Sequence, residues 1–216
     1  KFWSYWIGKD IFRRAKNYFK SMGEAGALAA PFSARADKLS PTLMTHGPDG
    51  ERIDRVTHHP DYHRLEELSY GRGIIKIKYV SEYLDKFKAV RHITGFGAGY
   101  YFAQTEMSLY CPICMTDGVG RILERHADPK LAKKVIAHLA STDQHELWQG
   151  SMYLTERQGG SDVGTNEVTA TKKGDRWLLN GDKWFCSNVA ADCILALARM
   201  PGGASGTKGL GLFLVV

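Results

Sequence analysis

Between Leu154 and Val168 the sequence reads LTERQGGSDVGTNEV, which sets Gly159 and Gly160 beside Ser161 and places Thr155 upstream. Adjacent glycines allow torsions and close approach denied to residues with a Cβ, and their amides together with the Ser161 hydroxyl suit a phosphate. The same residues also suit a plain hairpin connection. A second stretch, KWFCSN from Lys183 to Asn188, combines aromatic rings with a hydroxyl. Read as a strand, it alternates its side chains, so that Phe185 and Ser187 share one face while Trp184 and Cys186 share the other. A ring and a hydroxyl so placed can meet a flat heterocycle, one stacking on it and one bonding its edge. Ordinary sheet packing is the alternative.

Other reactive side chains point less clearly to chemistry. CPIC, from Cys111 to Cys114, has redox or metal spacing. A structural zinc site needs two close pairs, and Cys186 and Cys193 are too far apart to supply the second. The residues flanking CPIC read as a helix, so these thiols are expected as small buried residues, with no metal and no disulfide. His58, His59 and His63 gather in THHPDYH, but Pro60 marks a helix start and no acidic or thiol ligand completes a metal set. Glu156 and Asp162 lie in the glycine loop, where turn formation or solvation is their expected role.

The elements that must position these residues fall into two blocks. From Asp10 to about Ser40, and from Pro60 to about Thr142, apolar residues recur at helical spacing. YHRLEELSYGRG is amphipathic and stops at glycines, while GFGAGYYFAQTEMSLY reads as a buried helix. DPKLAKKVIAHLAS offers Asp128 as N-cap, Pro129 in the first turn, and Leu131, Val135, Ile136 and Leu139 as one stripe. Between the first two helical stretches, HGPDGERIDRVTHHP reads as a loop or short hairpin turning at PDG. After Gln149 the period changes to two. EVTATKKGDRWLLNGDKWFCSN holds two alternating runs joined by KKGD, followed by CILALARM and GLGLFLVV. The expected fold class is α+β: an all-helical domain over 1–148, then an antiparallel β domain over 149–216.

The chain has 216 residues and a net charge of +6, and 44% of it is hydrophobic, enough for a core. Residues 1–40 carry eight basic side chains against three acidic ones. Such an arm can face nucleic acid or an anionic surface, but a charged helix face is more often simply solvated. No apolar run approaches the ~18 residues of a membrane span. There is no uninterrupted apolar leader at the start, so the reading is a cytoplasmic protein. The start lacks methionine and the end falls inside a strand pattern, which reads as a piece of something longer.

MYLTERQGGSDV followed by LNGDKWFCSN resembles the two flavin-binding signatures of the acyl-CoA dehydrogenase family. RIDRVTHHPDYHRL and the QGGSDV form of the loop are similar to the adaptive-response, AidB-type branch. The resemblance implies an N-terminal α domain and a middle β domain, without the family's C-terminal helical bundle. It implies FAD as cofactor, lined by Met152, Tyr153, Leu154, Thr155, Gly159, Gly160 and Ser161 from the first signature and by Phe185, Cys186 and Ser187 from the second. Leu154 and Thr155 would meet the isoalloxazine edge, Gly160 and Ser161 the pyrophosphate, and Ser161 also the substrate side. Phe185 stands where many members carry tryptophan, and Ser187 stands at the hydroxyl that bonds flavin N5. The family desaturates acyl-CoA thioesters with a catalytic glutamate from the C-terminal domain, so no catalytic residue is assigned here. The implied partners are an acyl-CoA thioester, an electron-accepting flavoprotein and further copies in a homotetramer. In the AidB branch they include double-stranded DNA, bound mainly through the C-terminal domain.

Overall fold

In a computed structural model that describes residues 2–80, 85 and 88–216, the chain forms two compact units divided between Trp148 and Gln149. The helical reading of residues 81–84, 86 and 87 lies outside the described residues.

The first unit begins with α1 (Phe2–Ile7) and the long α2 (Lys9–Ala36). On α2, Ala15, Phe19, Met22, Gly26 and Ala29 are buried at three- and four-residue spacing, so one face of the helix enters the core. β1 (Thr42–His46) and β2 (Arg52–Thr57) then pair antiparallel, from Thr42 opposite Thr57 to His46 opposite Arg52. The unit is therefore not all-helical. Of the two readings of the PDG segment, the hairpin forms.

α3 (Pro60–Ser69) starts as its sequence dictates, with Pro60 in the first turn and the His59 ring accepting from the Asp61 N–H at 3.1 Å. The short α4 (Lys76–Tyr79) follows, and then α5 (Arg91–Ala103). The small residues of α5 are there for close approach. A Cβ at Gly97 would lie 3.0–3.1 Å from the rings of Phe19 and Trp3, and one at Gly99 would meet the Tyr110 hydroxyl.

α6 (Tyr110–His126) carries both cysteines of CPIC. Cys111 and Cys114 are exposed free thiols, which corrects the expectation that they are buried. The α6 side chains that enter the core are Ile113, Val119 and Leu123, on the opposite side of the early turns. In α7 (Pro129–Leu139), Asp128 caps the Lys130 and Leu131 N–H groups as its position predicts. The buried stripe is Ala132, Val135 and Leu139; Leu131 is exposed, so the apolar face sits one residue further round than expected.

The second unit is a five-stranded sheet of β3 (Gly150–Tyr153), β4 (Thr169–Lys173), β5 (Arg176–Asn180), β6 (Cys193–Arg199) and β7 (Leu210–Val215). β4 and β5 form the hairpin predicted around KKGD, and β7 runs antiparallel to β6. β6 also pairs in parallel with β3, and with β4 at Thr169 opposite Arg199, so the sheet is mixed where a purely antiparallel one was expected. The long connections from β3 to β4 and from β5 to β6 permit this, since only short hairpin loops force antiparallel neighbours. Cys193, Leu195, Ala196 and Ala198 of β6 are buried, as suits the strand with the most partners.

Candidate functional site

β3 runs directly into the glycine loop. Glu156 and Gly159 close it by exchanging backbone N–H bonds, both 3.1 Å. The segment from Trp184 to Asn188 returns along β3. Trp184 N–H donates to the Thr155 carbonyl at 2.9 Å, Ser151 Oγ donates to the Ser187 carbonyl at 2.6 Å, and Asn188 Nδ2 donates to the Gly150 carbonyl at 3.3 Å. The two stretches singled out from sequence are therefore side by side.

Their local geometry differs from the expectation. Lys183–Asn188 is not a strand: Phe185 has φ 55 and Asn188 φ 54, and Ser187 N–H folds back onto the Phe185 carbonyl at 2.9 Å. Strand alternation therefore does not set how Phe185 and Ser187 face each other. Their positions come from the turn and from the ties to β3. Left-handed torsions are unfavourable for a bulky aromatic residue, so Phe185 is held by its surroundings in a strained conformation. It is 81% exposed, edge-to-face with Trp184, over which the Arg157 guanidinium sits at 5.2 Å.

Met152, Tyr153, Leu154, Thr155, Gly159 and Cys186 are half-buried, while Gly160, Ser161 and Ser187 are exposed. Burial pushes the Cys186 thiol up in pKa, against the nearby Lys183 charge. The Gly160 and Ser161 N–H groups have no hydrogen-bond partner among the described residues, and neither do the hydroxyls of Thr155, Ser161 and Ser187. Gly160 lies directly on Thr155, where a Cβ would come within 2.6 Å of Oγ1. Free donors, free hydroxyls and an exposed ring are thus concentrated along one stretch of backbone.

Glu156 organises this loop from beneath. It is neither solvated nor a simple turn residue: it is 4% exposed and ion-paired with Lys183 Nζ at 2.6 Å. Its carboxylate also accepts from the N–H groups of Glu167 at 2.6 Å and Val168 at 3.2 Å, and from Gln158 Nε2 at 2.8 Å. Lys183 Nζ and Asn166 Nδ2 both reach the Leu154 carbonyl, at 3.3 and 2.8 Å. Asp162 does take the turn role expected of it, accepting from the Gly164 N–H at 3.0 Å.

Sequence reasoning missed Glu156, Lys183 and Asn166 as organisers of the loop. A pair separated by 27 residues leaves no periodic trace. The available signal was a lysine inside the second signature and a glutamate inside the first.

Burial alone would raise the Glu156 pKa, but the Glu167 N–H, Lys183, Gln158 and the Val168 N–H together hold it below the ordinary carboxyl value. A depressed folded-state pKa contributes stability that is complete above the unfolded value of about 4.3 and is lost as pH falls through the folded value. The stability difference between wild type and Glu156→Gln should therefore be largest near neutrality and shrink below that range. Urea titrations near neutral and at acidic pH check this; a gap that widens in acid contradicts it.

Residues 7–146 match the family model of the adaptive response protein AidB N-terminal domain, and residues 151–216 match that of the acyl-CoA dehydrogenase middle domain. Acyl-CoA dehydrogenase family member 11 of Caenorhabditis elegans is 33% identical over 190 residues, covering 84% of this chain and 30% of the relative. Putative acyl-CoA dehydrogenase AidB of Escherichia coli K12 is 28% identical over 174 residues, covering 76% of this chain and 31% of the relative. The crystal structure of Caenorhabditis elegans ACDH-11 in complex with C11-CoA superposes with a TM-score of 0.83 at 29% identity, covering 96% of this chain and 36% of that one. The chain therefore belongs to the acyl-CoA dehydrogenase family, in the branch whose N-terminal domain is of the AidB type. It spans about a third of the length of the curated relatives it matches. Among the described residues, no helix is long and apolar enough to cross a membrane.

Proposed function

We propose that this chain supplies the N-terminal helical domain, 1–148, and part of the middle domain, 149–216, of an FAD-dependent acyl-CoA oxidoreductase. The observation that carries the reading is the run of free donors at Gly160 and Ser161 beside the free hydroxyls of Thr155 and Ser187 and the exposed Phe185 ring. This donor set fits a dinucleotide with an anionic pyrophosphate and a flat ring. Met152 to Thr155 and Gly159 to Ser161 would hold FAD largely through backbone, with Phe185, Cys186 and Ser187 on the facing wall and Ser161 also toward the substrate. Bound FAD would supply hydride acceptance from an acyl thioester. The chain's own part is to orient the cofactor and to present the Ser187 hydroxyl to its reactive edge. No residue of this chain is assigned as the base.

An electron-accepting flavoprotein, a homotetrameric assembly and a cytoplasmic location go with this reading. A second reading, a flavoprotein that binds double-stranded DNA and protects it from alkylation, is favoured by the AidB-type match over 7–146. Reduction of the bound flavin of the full-length protein by a panel of acyl-CoA thioesters separates the two, because turnover supports the oxidoreductase and its absence with tight duplex binding supports the other. Ser187→Ala should keep FAD, since one hydrogen bond is worth about 0.5–1.5 kcal/mol, while slowing flavin reduction. Unchanged reduction kinetics would remove Ser187 from the site.

A further inference from the structure

A cavity of about 310 Å³ opens within the helical unit and shares no residue with the glycine loop. It lies at the C-terminal end of α2, between the start of α3 and the turn before α6, at the lower end of the roughly 300–1,000 Å³ of small-molecule sites. Its deepest polar group is Glu106, only 4% exposed. One Glu106 oxygen accepts from the Leu109 N–H at 2.9 Å; the other has no hydrogen-bond partner among the described residues. That second oxygen keeps access to the cavity, where a donor on a ligand can reach it.

The rest of the lining has the same electrical sense. Asp37 closes α2, whose terminal carbonyls carry partial negative charge. Among the described residues no lysine or arginine lines the cavity, and nearby Arg35 is paired with Asp61 at 2.5 Å. One wall is aromatic: His58 stacks on Tyr62 with ring centroids 4.2 Å apart and planes inclined by 12°. Burial lowers the His58 pKa, which disfavours its charged form. Leu39 and Leu65 supply apolar surface.

We infer that this cavity binds an organic cation, an ammonium group on a small apolar or aromatic body, with the charge on Glu106 and the body against Tyr62. Glu106 would form a charge-assisted hydrogen bond where solvent is scarce, and an aromatic face stabilises a neighbouring cation. An anionic ligand would meet Glu106 and Asp37 with no cation to offset them.

Calorimetric titration of the 216-residue chain with 2-phenylethylammonium tests the assignment, with 2-phenylethanol and phenylacetate as neutral and anionic comparators. The amine should bind roughly tenfold or more tightly than either comparator. Glu106→Gln keeps the acceptor for the Leu109 N–H and should remove that preference while circular dichroism stays unchanged. Leu39→Trp, at a position 61% exposed on the rim, should block binding by filling the cavity, and it remains informative if the Glu106 variant does not fold. Equal binding of amine and alcohol, no binding of the amine, or binding unaffected by both variants would overturn the assignment.

Discussion

In the full-length protein, Gly160→Val is expected to give a folded protein that purifies without flavin, whereas Gly159→Ala keeps it. The two glycines are adjacent, but only one is sterically committed. A Cβ at Gly160 would fall 2.6 Å from Thr155 Oγ1 and 2.9 Å from its Cγ2, closer than real side chains tolerate, while at Gly159 the nearest atoms are 3.7 and 3.8 Å away. Valine at 160 must therefore displace Thr155 or its own backbone. Either shift moves the free Gly160 and Ser161 N–H groups that are proposed to meet the pyrophosphate. The loop's foundation should survive, because Glu156, Lys183 and the backbone of 167–168 hold it from the other side. Flavin absorbance per mole of purified wild type and both variants, with circular dichroism as the control for folding, measures the effect. Equal occupancy in wild type and Gly160→Val would show that the loop does not cradle the cofactor.

The contrast between these glycines marks how far the sequence could be read. The change of period near Gln149 located the sheet, and hairpin chemistry located β4 and β5, because both signals act between near neighbours. Helix starts were legible at Pro60 and Asp128 for the same reason: a cap and its N–H partners lie within three residues. What failed was information carried by distant partners. Parallel pairing of β3 with β6 depends on residues more than 40 positions apart, and no local pattern distinguishes it from an antiparallel alternative. The alternation in KWFCSN was a fair strand signal, yet ties to Ser151 and Thr155 and two left-handed torsions outweigh it. CPIC shows the same limit on a helix, where the period was right but the buried phase depends on which neighbour packs against it. The glycine loop and its companion segment were nonetheless both singled out, since their residue types are unusual regardless of the path the backbone takes, and they lie side by side.

A polar pair hidden in the helical core escaped the sequence altogether, and it carries the largest expected effect on stability. Lys78 on α4 reaches Asp117 on α6 at 2.7 Å, with side chains 5% and 10% exposed. The Tyr79 hydroxyl donates to both the Asp117 carboxylate and its backbone carbonyl at 2.9 Å, and the Lys78 ammonium lies 4.0 Å from the centre of the Phe96 ring. Gly95 makes room for the lysine stem, since a Cβ there would collide with it. Lys78→Met retains a stem of similar length but leaves Asp117 buried without its cation. Removing one partner of a buried pair costs about 3–5 kcal/mol, because the remaining charge is poorly solvated. The double variant Lys78→Met/Asp117→Leu should recover most of that loss, since replacing both partners by apolar groups of similar volume is often neutral, and Tyr79 keeps the Asp117-position carbonyl as acceptor. Urea denaturation followed by the helical circular dichroism signal across wild type, both single variants and the double variant gives the coupling directly. A double variant as unstable as the sum of the two singles would mean that α4 and α6 are held by packing around these residues and not by the charge pair.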